Sequence, residues 1–190
     1  MPPPFSALLL AAGHSTRMGC DKALLELDGV PLWRRQRATL ARAGAAEILL
    51  SARTEQAWTR DAAPHFAAIV RDSRPHGGPL AGLAAGLERA AQPHLAVLAI
   101  DLPRIEAAWF ATLLARCGPG VGAVGRSGGF FEPLAAIFPR EVMSLARVAL
   151  ARADYSLQGL LAAAVAQGLM HVHEIAAAEA LCFENWNEPR

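Results

Sequence analysis

Two glycines and two cations lie within ten residues of one another, between Gly13 and Lys22. Gly13 and Gly19 let the main chain approach a ligand closely, while Arg17 and Lys22 supply positive charge and Ser15 supplies a hydroxyl donor. In such a loop, successive backbone N–H groups can converge on phosphate oxygens whose charge the cations neutralise. These residue types and their spacing predict a loop that binds a triphosphate.

Two widespread phosphate-binding motifs do not describe this loop. Walker A has the pattern G-x-x-x-x-G-K-[ST], which neither the spacing from Gly13 to Gly19 nor the Cys20-Asp21 pair before Lys22 fits. The dinucleotide fingerprint G-x-G-x-x-G is also missing from the sequence. An ordinary solvated turn would explain the glycines but would leave the two flanking cations unexplained.

The segment that positions this loop is a short apolar run, Ala7 to Ala11. Continuous apolar runs of this length are typical of parallel strands that are covered on both faces. Open α/β sheets bind their ligands just beyond the carboxyl ends of such strands. The sequence therefore predicts a ligand site at the end of the first strand.

A second chemically suggestive position follows the most apolar strand-length stretch, Leu95 to Ile100. Asp101 comes directly after it, and Pro103 stiffens the exit. Mg²⁺ binds through one or two carboxylates together with substrate phosphates, so a single aspartate at this place is a sufficient protein ligand. The alternative is that Asp101 caps the helix predicted from Ile105 onward.

The segment from Arg71 to Ala90 is the third candidate part of the site. Pro79 is predicted to open a helix whose amino end, with its positive dipole, points toward a ligand. Gly82 and Gly86 leave a smooth face on that helix, against which either a nucleotide or a neighbouring element could pack closely.

The remaining pattern predicts alternating helices and strands. Further strands are expected at 46–52, 67–70, 121–124, 133–138 and 169–175. Helices are expected at 31–43, 54–62, 106–116, 140–152 and 156–167.

Length and composition narrow the class of protein. A chain of 190 residues is long enough for one α/β domain and too short for two of ordinary size. The apolar runs are shorter than a membrane span and the start lacks signal-peptide features, so a cytoplasmic protein is expected. The 18 basic and 17 acidic residues are spread along the chain, which argues against nucleic-acid and membrane-surface partners. Three widely separated cysteines favour neither disulfides nor a zinc site.

The string LAAGHSTRMGCDKALL, followed by LDGVPL, resembles the signature of the molybdenum cofactor guanylyltransferase family (molybdopterin-guanine dinucleotide biosynthesis protein A). GPLAG at 78–82, Asp101-Leu102-Pro103 and the terminal FENWNEPR are similar to further motifs of that family. The resemblance implies a single Rossmann-like three-layer α/β domain over residues 1–190, of the nucleotide-diphospho-sugar transferase type. Its sheet is expected to be mostly parallel, with helices on both faces.

The activity implied by the resemblance is transfer of GMP from GTP to the phosphate of molybdopterin, with Mg²⁺ and release of pyrophosphate. Catalytic roles are implied for Arg17, Lys22 and Asp101, with Asp101 also the metal ligand. The positions implied to bind nucleotide and acceptor are Leu10, Ala11, Ala12, Gly13, Ser15, Arg17, Lys22, Ser51, Asp72, Pro79, Leu80, Asp101, Asn185 and Asn187. Molybdoenzymes or their chaperones are the implied protein partners.

Two departures from the family pattern leave the base open. Ala12 stands where the guanylyl enzymes usually have glycine, and the related cytidylyltransferases carry L-A-A-G. Arg53 lies near a position where the family places base-contacting side chains and where asparagine is frequent. Cytidylyl transfer from CTP to the same cofactor is therefore one alternative. A nucleotide-binding accessory protein without turnover is another.

Two weaker signals come from the second half of the chain. The glycine-rich segment with Arg126 could bind the acceptor's phosphate, or it could be a solvated hairpin. His171 and His173 fall on one face of a strand, but without a third ligand a surface pair is the better interpretation than a metal site.

Overall fold

The computed structural model describes residues 3–13, 21–71 and 77–184. Its strands are β1 (Phe5–Leu10), β2 (Glu26–Leu27), β3 (Val30–Pro31), β4 (Glu47–Ser51), β5 (Ala68–Val70), β6 (His94–Ala99), β7 (Gly122–Ser127), β8 (Phe130–Phe131), β9 (Ala135–Pro139) and β10 (Met170–Glu174). Within the described residues the main sheet has the order β10-β7-β9-β6-β1-β4-β5, and β8 pairs with β7. Strand β9 runs antiparallel to its neighbours β6 and β7, and β8 runs antiparallel to β7. The other pairs of this sheet are parallel.

Helices cover both faces of this sheet. They are α1 (Leu32–Arg42), α2 (Thr59–Ala62), α3 (Gly78–Arg89), α4 (Ala107–Leu114), α5 (Met143–Ala151), α6 (Leu157–Ala166) and α7 (Ala177–Ala180). In the ranges that the structure describes, none of them has the length and apolar character to cross a membrane.

Strand β1 lies near the middle of the sheet and separates two hydrophobic layers. Phe5, Ala7 and Leu9 pack into the cluster that contains α1 and α4. Leu8 and Leu10 point the other way, into the cluster that contains α3, α5 and α6. Because side chains alternate between the faces of a strand, an unbroken apolar run fills both layers. The expected three-layer α/β fold with a mostly parallel sheet is confirmed.

Helix α3 packs close to β1 because Gly82 and Gly86 have no side chain on the face that meets the sheet. A Cβ atom added at Gly82 would lie 2.8 Å from Leu10 Cδ2, and one at Gly86 would lie 2.6 Å from Leu8 Cδ2. Of the two interpretations of these glycines, close packing of helix on sheet is the one that the structure shows.

The carboxyl ends of β1, β4 and β6 meet at one edge of the sheet, which we call the carboxyl edge. The N–H of Ala11 donates to the carbonyl of Ser51 at 2.9 Å, and the N–H of Ile100 donates to the carbonyl of Leu10 at 3.0 Å. Since β9 runs antiparallel to β6, its first residues join the same edge. The segments that follow these strands are thereby brought together.

One predicted helix is mostly wrong. Of the stretch 54–62, only Thr59–Ala62 is α-helical, and a 3-10 turn follows it. We call residues 11–21 the phosphate loop. The residues before Thr59 form turns because the side chain of Gln56 is directed inward, where it binds the carbonyl of Ala11 and the carboxylate of Asp21 in this loop. Side-chain bonds of this kind compete with helix formation.

The β2–β3 hairpin was not predicted, although its signal is present in the sequence. Asp28 and Gly29 adopt φ values of 56° and 72°, as a type I′ turn requires. Asp-Gly is a preferred pair for this turn, and here it directs the chain from the phosphate loop into α1.

We expect Gly86→Ala to destabilise the protein by about 1–2 kcal/mol, because the new methyl group would force buried Leu8 and Leu95 to move. Gly159→Ala, in α6, is the matched control. Its Cβ would meet only ordinary contacts at 3.5 Å or more, so higher helix propensity should stabilise the protein by up to about 1 kcal/mol. Urea unfolding of both variants measures the two free energies, and equal effects would contradict the packing argument.

Candidate active site

The phosphate loop leaves β1 at the carboxyl edge. Leu10 and Ala11 are buried, Ala12 is partly exposed and Gly13 is exposed, so the main chain emerges from the core over these positions. A Cβ atom at Gly13 would have no neighbour within 4 Å among the described residues. The predicted phosphate ligands Ser15 and Arg17 lie outside the described residues.

The loop ends at Asp21, whose carboxylate is fully engaged in holding the chain. Its Oδ1 accepts from the N–H of Ala23 at 3.1 Å and so caps the 3-10 turn Lys22–Leu24. Its Oδ2 accepts from Gln56 Nε2 at 2.6 Å and from Trp58 Nε1 at 2.8 Å. These three bonds fix the backbone from which Lys22 projects.

Lys22 and Asp101 meet at the carboxyl edge. The distance from Lys22 Nζ to Asp101 Oδ2 is 3.8 Å, and the two side chains are 22% and 26% exposed. A cation and a carboxylate are therefore placed side by side where a ligand can reach both. The helix-cap alternative for Asp101 is wrong, because α4 begins only at Ala107 and its N-cap residue is Glu106.

The turn that carries Asp101 is held from α1. Gln36 is fully buried, and its Nε2 donates to the carbonyls of Leu102 at 2.6 Å and Ala99 at 3.3 Å. Arg35 Nε donates to the carbonyl of Pro103 at 3.2 Å. Sequence reasoning missed Gln36, although a glutamine among the apolar positions of an amphipathic helix is a readable signal for a buried polar contact.

The amino end of α3 forms a wall beside the carboxyl edge. Pro79 is exposed, whereas the side chain of Leu80 is buried in the core, so Leu80 can reach a ligand only through its backbone N–H. Ser51 is 1% exposed, and its hydroxyl, next to the Gly82 backbone, has no hydrogen-bond partner among the described residues. Asp72, predicted to lie against the nucleotide, is outside the described residues.

Arg53 is engaged with the phosphate loop. Its Nη1 donates to the carbonyls of both Ala12 and Gly13. Its backbone N–H donates to Gln56 Oε1 at 2.7 Å, and its guanidinium lies 4.0 Å from the carboxylate of Glu55. Arg53 is therefore held against the main chain of the phosphate loop.

The segment predicted to face the acceptor forms a hairpin. Gly128 and Gly129 have positive φ values, 55° and 85°, in the turn between β7 and β8. Arg126 is paired with Glu174 of β10. Glu132, which follows the hairpin, is half-buried, and burial raises the pKa of its carboxyl.

The last described residues directly precede the predicted acceptor-binding residues in sequence. Phe183 packs edge-on against Trp109 with a centroid distance of 4.9 Å, and Glu184 pairs with Arg104 at 2.6 Å. Asn185 and Asn187 come next and lie outside the described residues. Arg104 follows Asp101 closely in sequence, so the described chain ends near the Asp101 turn.

The two histidines of β10 are held by protein groups. His171 Nδ1 lies 2.7 Å from the carbonyl of Arg116, and His173 Nε2 lies 3.0 Å from Glu179 Oε2. Within the described ranges, no group of three His, Cys, Asp or Glu side chains is arranged to hold a metal ion. Both histidines of this edge strand therefore have protein partners.

Comparison with known proteins adds family evidence to this geometry. Residues 7–172 match the family described as "MobA-like NTP transferase domain". The chain is 42% identical over 184 residues to a probable molybdenum cofactor guanylyltransferase of Opitutus terrae, covering 95% of this chain and 89% of that protein. It is 41% identical over 140 residues to a molybdenum cofactor guanylyltransferase of Pseudomonas aeruginosa, covering 72% and 69%.

Solved structures of low sequence identity share the fold. Molybdopterin-guanine dinucleotide biosynthesis protein A of Archaeoglobus fulgidus superposes with a TM-score of 0.74 at 19% identity, covering 97% of this chain and 93% of that one. A nucleotidyl transferase of Methanothermobacter gives 0.75 at 20% identity, covering 97% and 92%.

We expect Glu132→Gln to raise the melting temperature at about pH 7.5 and to have little effect at about pH 4. Burial raises the pKa of Glu132 in the folded state. The protonated Glu132 side chain therefore contributes stability at pH values below its pKa in the unfolded chain. This contribution is lost as the pH rises through the higher pKa of Glu132 in the folded protein. Glu26→Gln, at an exposed position, is the control. A lower melting temperature for Glu132→Gln at about pH 7.5 would show that the ionised carboxylate stabilises the fold instead.

Proposed function

The chain belongs to the MobA-like NTP transferase family, and from this premise we propose that it transfers GMP from GTP to the phosphate of molybdopterin. The chain is a nucleotidyltransferase, as its family assignment and its relatives establish. The observation that carries the finer proposal is the meeting of Lys22 and Asp101 at the carboxyl edge, beside the phosphate loop. The guanylyl group and the acceptor follow the names of the relatives.

The proposed reaction joins two anions. An oxygen of the acceptor phosphate attacks the α-phosphorus of GTP, and a new P–O bond forms. The bond from the α-phosphorus to the oxygen that bridges to the β-phosphate breaks, so that pyrophosphate leaves with those electrons. An acceptor phosphate that is already ionised needs no general base. The protein therefore contributes charge neutralisation and orientation more than covalent catalysis.

Lys22 neutralises the α-phosphate oxygens as negative charge develops on them. It is the only lysine in the sequence, and the cap formed by Asp21 fixes its backbone. Arg17, by the family resemblance, neutralises the β- and γ-phosphates that leave. Asn185 and Asn187 are assigned to the acceptor on the same ground.

Asp101 fits a magnesium ion that binds together with the substrate. Its carboxylate is a hard oxygen donor, is partly exposed and lies at the edge where the phosphates would enter. Because the described residues supply no three-ligand cluster, phosphate oxygens and waters would complete the coordination. When bound, Mg²⁺ supplies neutralisation of phosphate oxygens. Lys22 Nζ lies 3.8 Å from the same carboxylate, so both groups are available to the same phosphates.

The nucleotide is assigned to the carboxyl edge, between the start of the phosphate loop and the amino end of α3. By the family resemblance, residues 10–13, Pro79 and Leu80 contact it, Leu80 through its backbone N–H because its side chain is buried. Ser51 and Asp72 are assigned to the same pocket by resemblance, as is Ser15 to the phosphates. The amino end of a helix favours negative charge, which suits a triphosphate in this position.

We expect Lys22→Ala and Asp101→Asn each to lower pyrophosphate release by about 100-fold or more while the fold is retained, since each removes charge from the reacting phosphates. The measurement is single-turnover pyrophosphate release with GTP, Mg²⁺ and molybdopterin. Arg60→Met and Asp61→Asn, at exposed positions of α2, are the matched controls. Near-normal rates in either active-site variant would refute its assigned role.

We also expect GTP with Mg²⁺ to raise the melting temperature and to protect Lys22 from acetylation, because phosphate oxygens would cover its ammonium group. Since the chain has one lysine, mass spectrometry of acetylated peptides reports on that site and the amino terminus separately. EDTA should abolish turnover and added Mg²⁺ should restore it. If CTP but not GTP protected Lys22 from acetylation and raised the melting temperature, the proposed activity would be cytidylyl transfer instead of guanylyl transfer.

A further inference from the structure

Two residues that follow β4 donate side-chain hydrogen bonds to the main chain of the phosphate loop. We define Arg53 and Gln56 as the clamp. Gln56 Nε2 donates to the carbonyl of Ala11 at 2.9 Å, and Arg53 Nη1 donates to the carbonyls of Ala12 and Gly13. Three successive carbonyl groups are therefore drawn toward one side of the loop by two side chains.

The direction of these carbonyls determines the direction of the loop's amides. Peptide bonds are planar, and in the trans form the N–H points opposite to the C=O of the same unit. The described residues contain no cis peptide bond. The N–H groups of Ala12 and Gly13 therefore point away from the clamp. Within the described part of the chain, neither donates to another backbone carbonyl.

Adjacent N–H groups that point the same way form a small anion-binding concavity. The three carbonyl groups, whose negative ends would repel a phosphate, are instead bound by Gln56 at Ala11 and by Arg53 at Ala12 and Gly13. This geometry differs from the use of an arginine as a direct phosphate ligand or base contact. Here the cation acts through the backbone.

Gln56 also links the two ends of the loop. It is 4% exposed, and its Nε2 contacts both Ala11 at the start of the loop and Asp21 at its end. Its Oε1 accepts from the N–H of Arg53 at 2.7 Å. Asp21 fixes the turn that carries Lys22. Gln56 therefore holds the amides at the start of the loop and the ammonium group of Lys22 in fixed positions relative to each other.

We propose that Arg53 and Gln56 are positioning residues that orient the loop's amides and Lys22 to receive a polyphosphate. The proposal rests on the proposed function for its substrate class, but it concerns the phosphates and not the base. It predicts that substitution of a clamp residue lowers the affinity equally for every ligand that contains the triphosphate. The affinity for a ligand without the triphosphate should not change.

The test is calorimetric binding of inorganic tripolyphosphate, GTP and guanosine to wild-type protein and to Arg53→Met. We expect the affinity for tripolyphosphate and GTP to fall about tenfold, the effect of losing one oriented hydrogen bond to a charged group, and the affinity for guanosine to be unchanged. Arg53→Lys, which keeps the charge and a donor, should recover part of the loss. Arg60→Met, the same substitution at an exposed arginine of α2, should match wild type.

Three outcomes would overturn the clamp: unchanged tripolyphosphate affinity in Arg53→Met, a loss confined to guanosine and GTP, or no tripolyphosphate binding by the wild-type protein. If Arg53→Met does not fold, as judged by circular dichroism, the comparison of Arg53→Lys with wild type decides the same question. If tripolyphosphate binding depends on Arg53 but GTP yields no pyrophosphate, the clamp stands and the proposed function fails.

Discussion

The ion pair of Lys22 with Asp101 is the point on which the arrangement of the site depends, because its members come from two different loops. Parallel pairing of β1 with β6 places the two loops side by side at the carboxyl edge. The pairing of these two strands brings the loops close together but does not fix their conformations. A cation and a carboxylate stay 3.8 Å apart at a partly exposed edge only if both loops are held in place, since exposed ion pairs contribute little stability of their own.

Two buried glutamines hold the two loops. Gln36, from α1, binds carbonyls on both sides of Asp101, and Gln56 binds the start and the end of the phosphate loop. Backbone carbonyls that leave a strand and stay close to the core need partners, and a buried amide side chain can satisfy two of them. Removing Gln56 would leave the Ala11 carbonyl without its donor, which costs more than the bond itself contributes. Removing Gln36 would leave the carbonyls of Ala99 and Leu102 with one backbone donor each.

The sequence was most informative where one physical requirement determines the residue type. The apolar run of β1 predicted a strand covered on both faces, and the position of Asp101 after β6 predicted a carboxylate at the carboxyl edge. Gln56 could not be found in this way. It lies in a stretch with helical composition, and its role depends on contacts with Ala11 and Asp21, which are distant in sequence. Contacts of this kind emerge only when β1 and β4 are paired.

Ala12 is one of the two departures from the family pattern that leave the base open, and the structure bears on how it could act. Among the described non-glycine residues, positive φ occurs at Asp28 and Ala153 but not at Ala12, so the methyl group of Ala12 causes no backbone strain. Its carbonyl is bound by Arg53, and this bond does not depend on whether alanine or glycine is present. The backbone at Ala12 can therefore keep one conformation with either residue. We then expect a difference in base preference to arise from side chains that contact the base rather than from the main chain at this position.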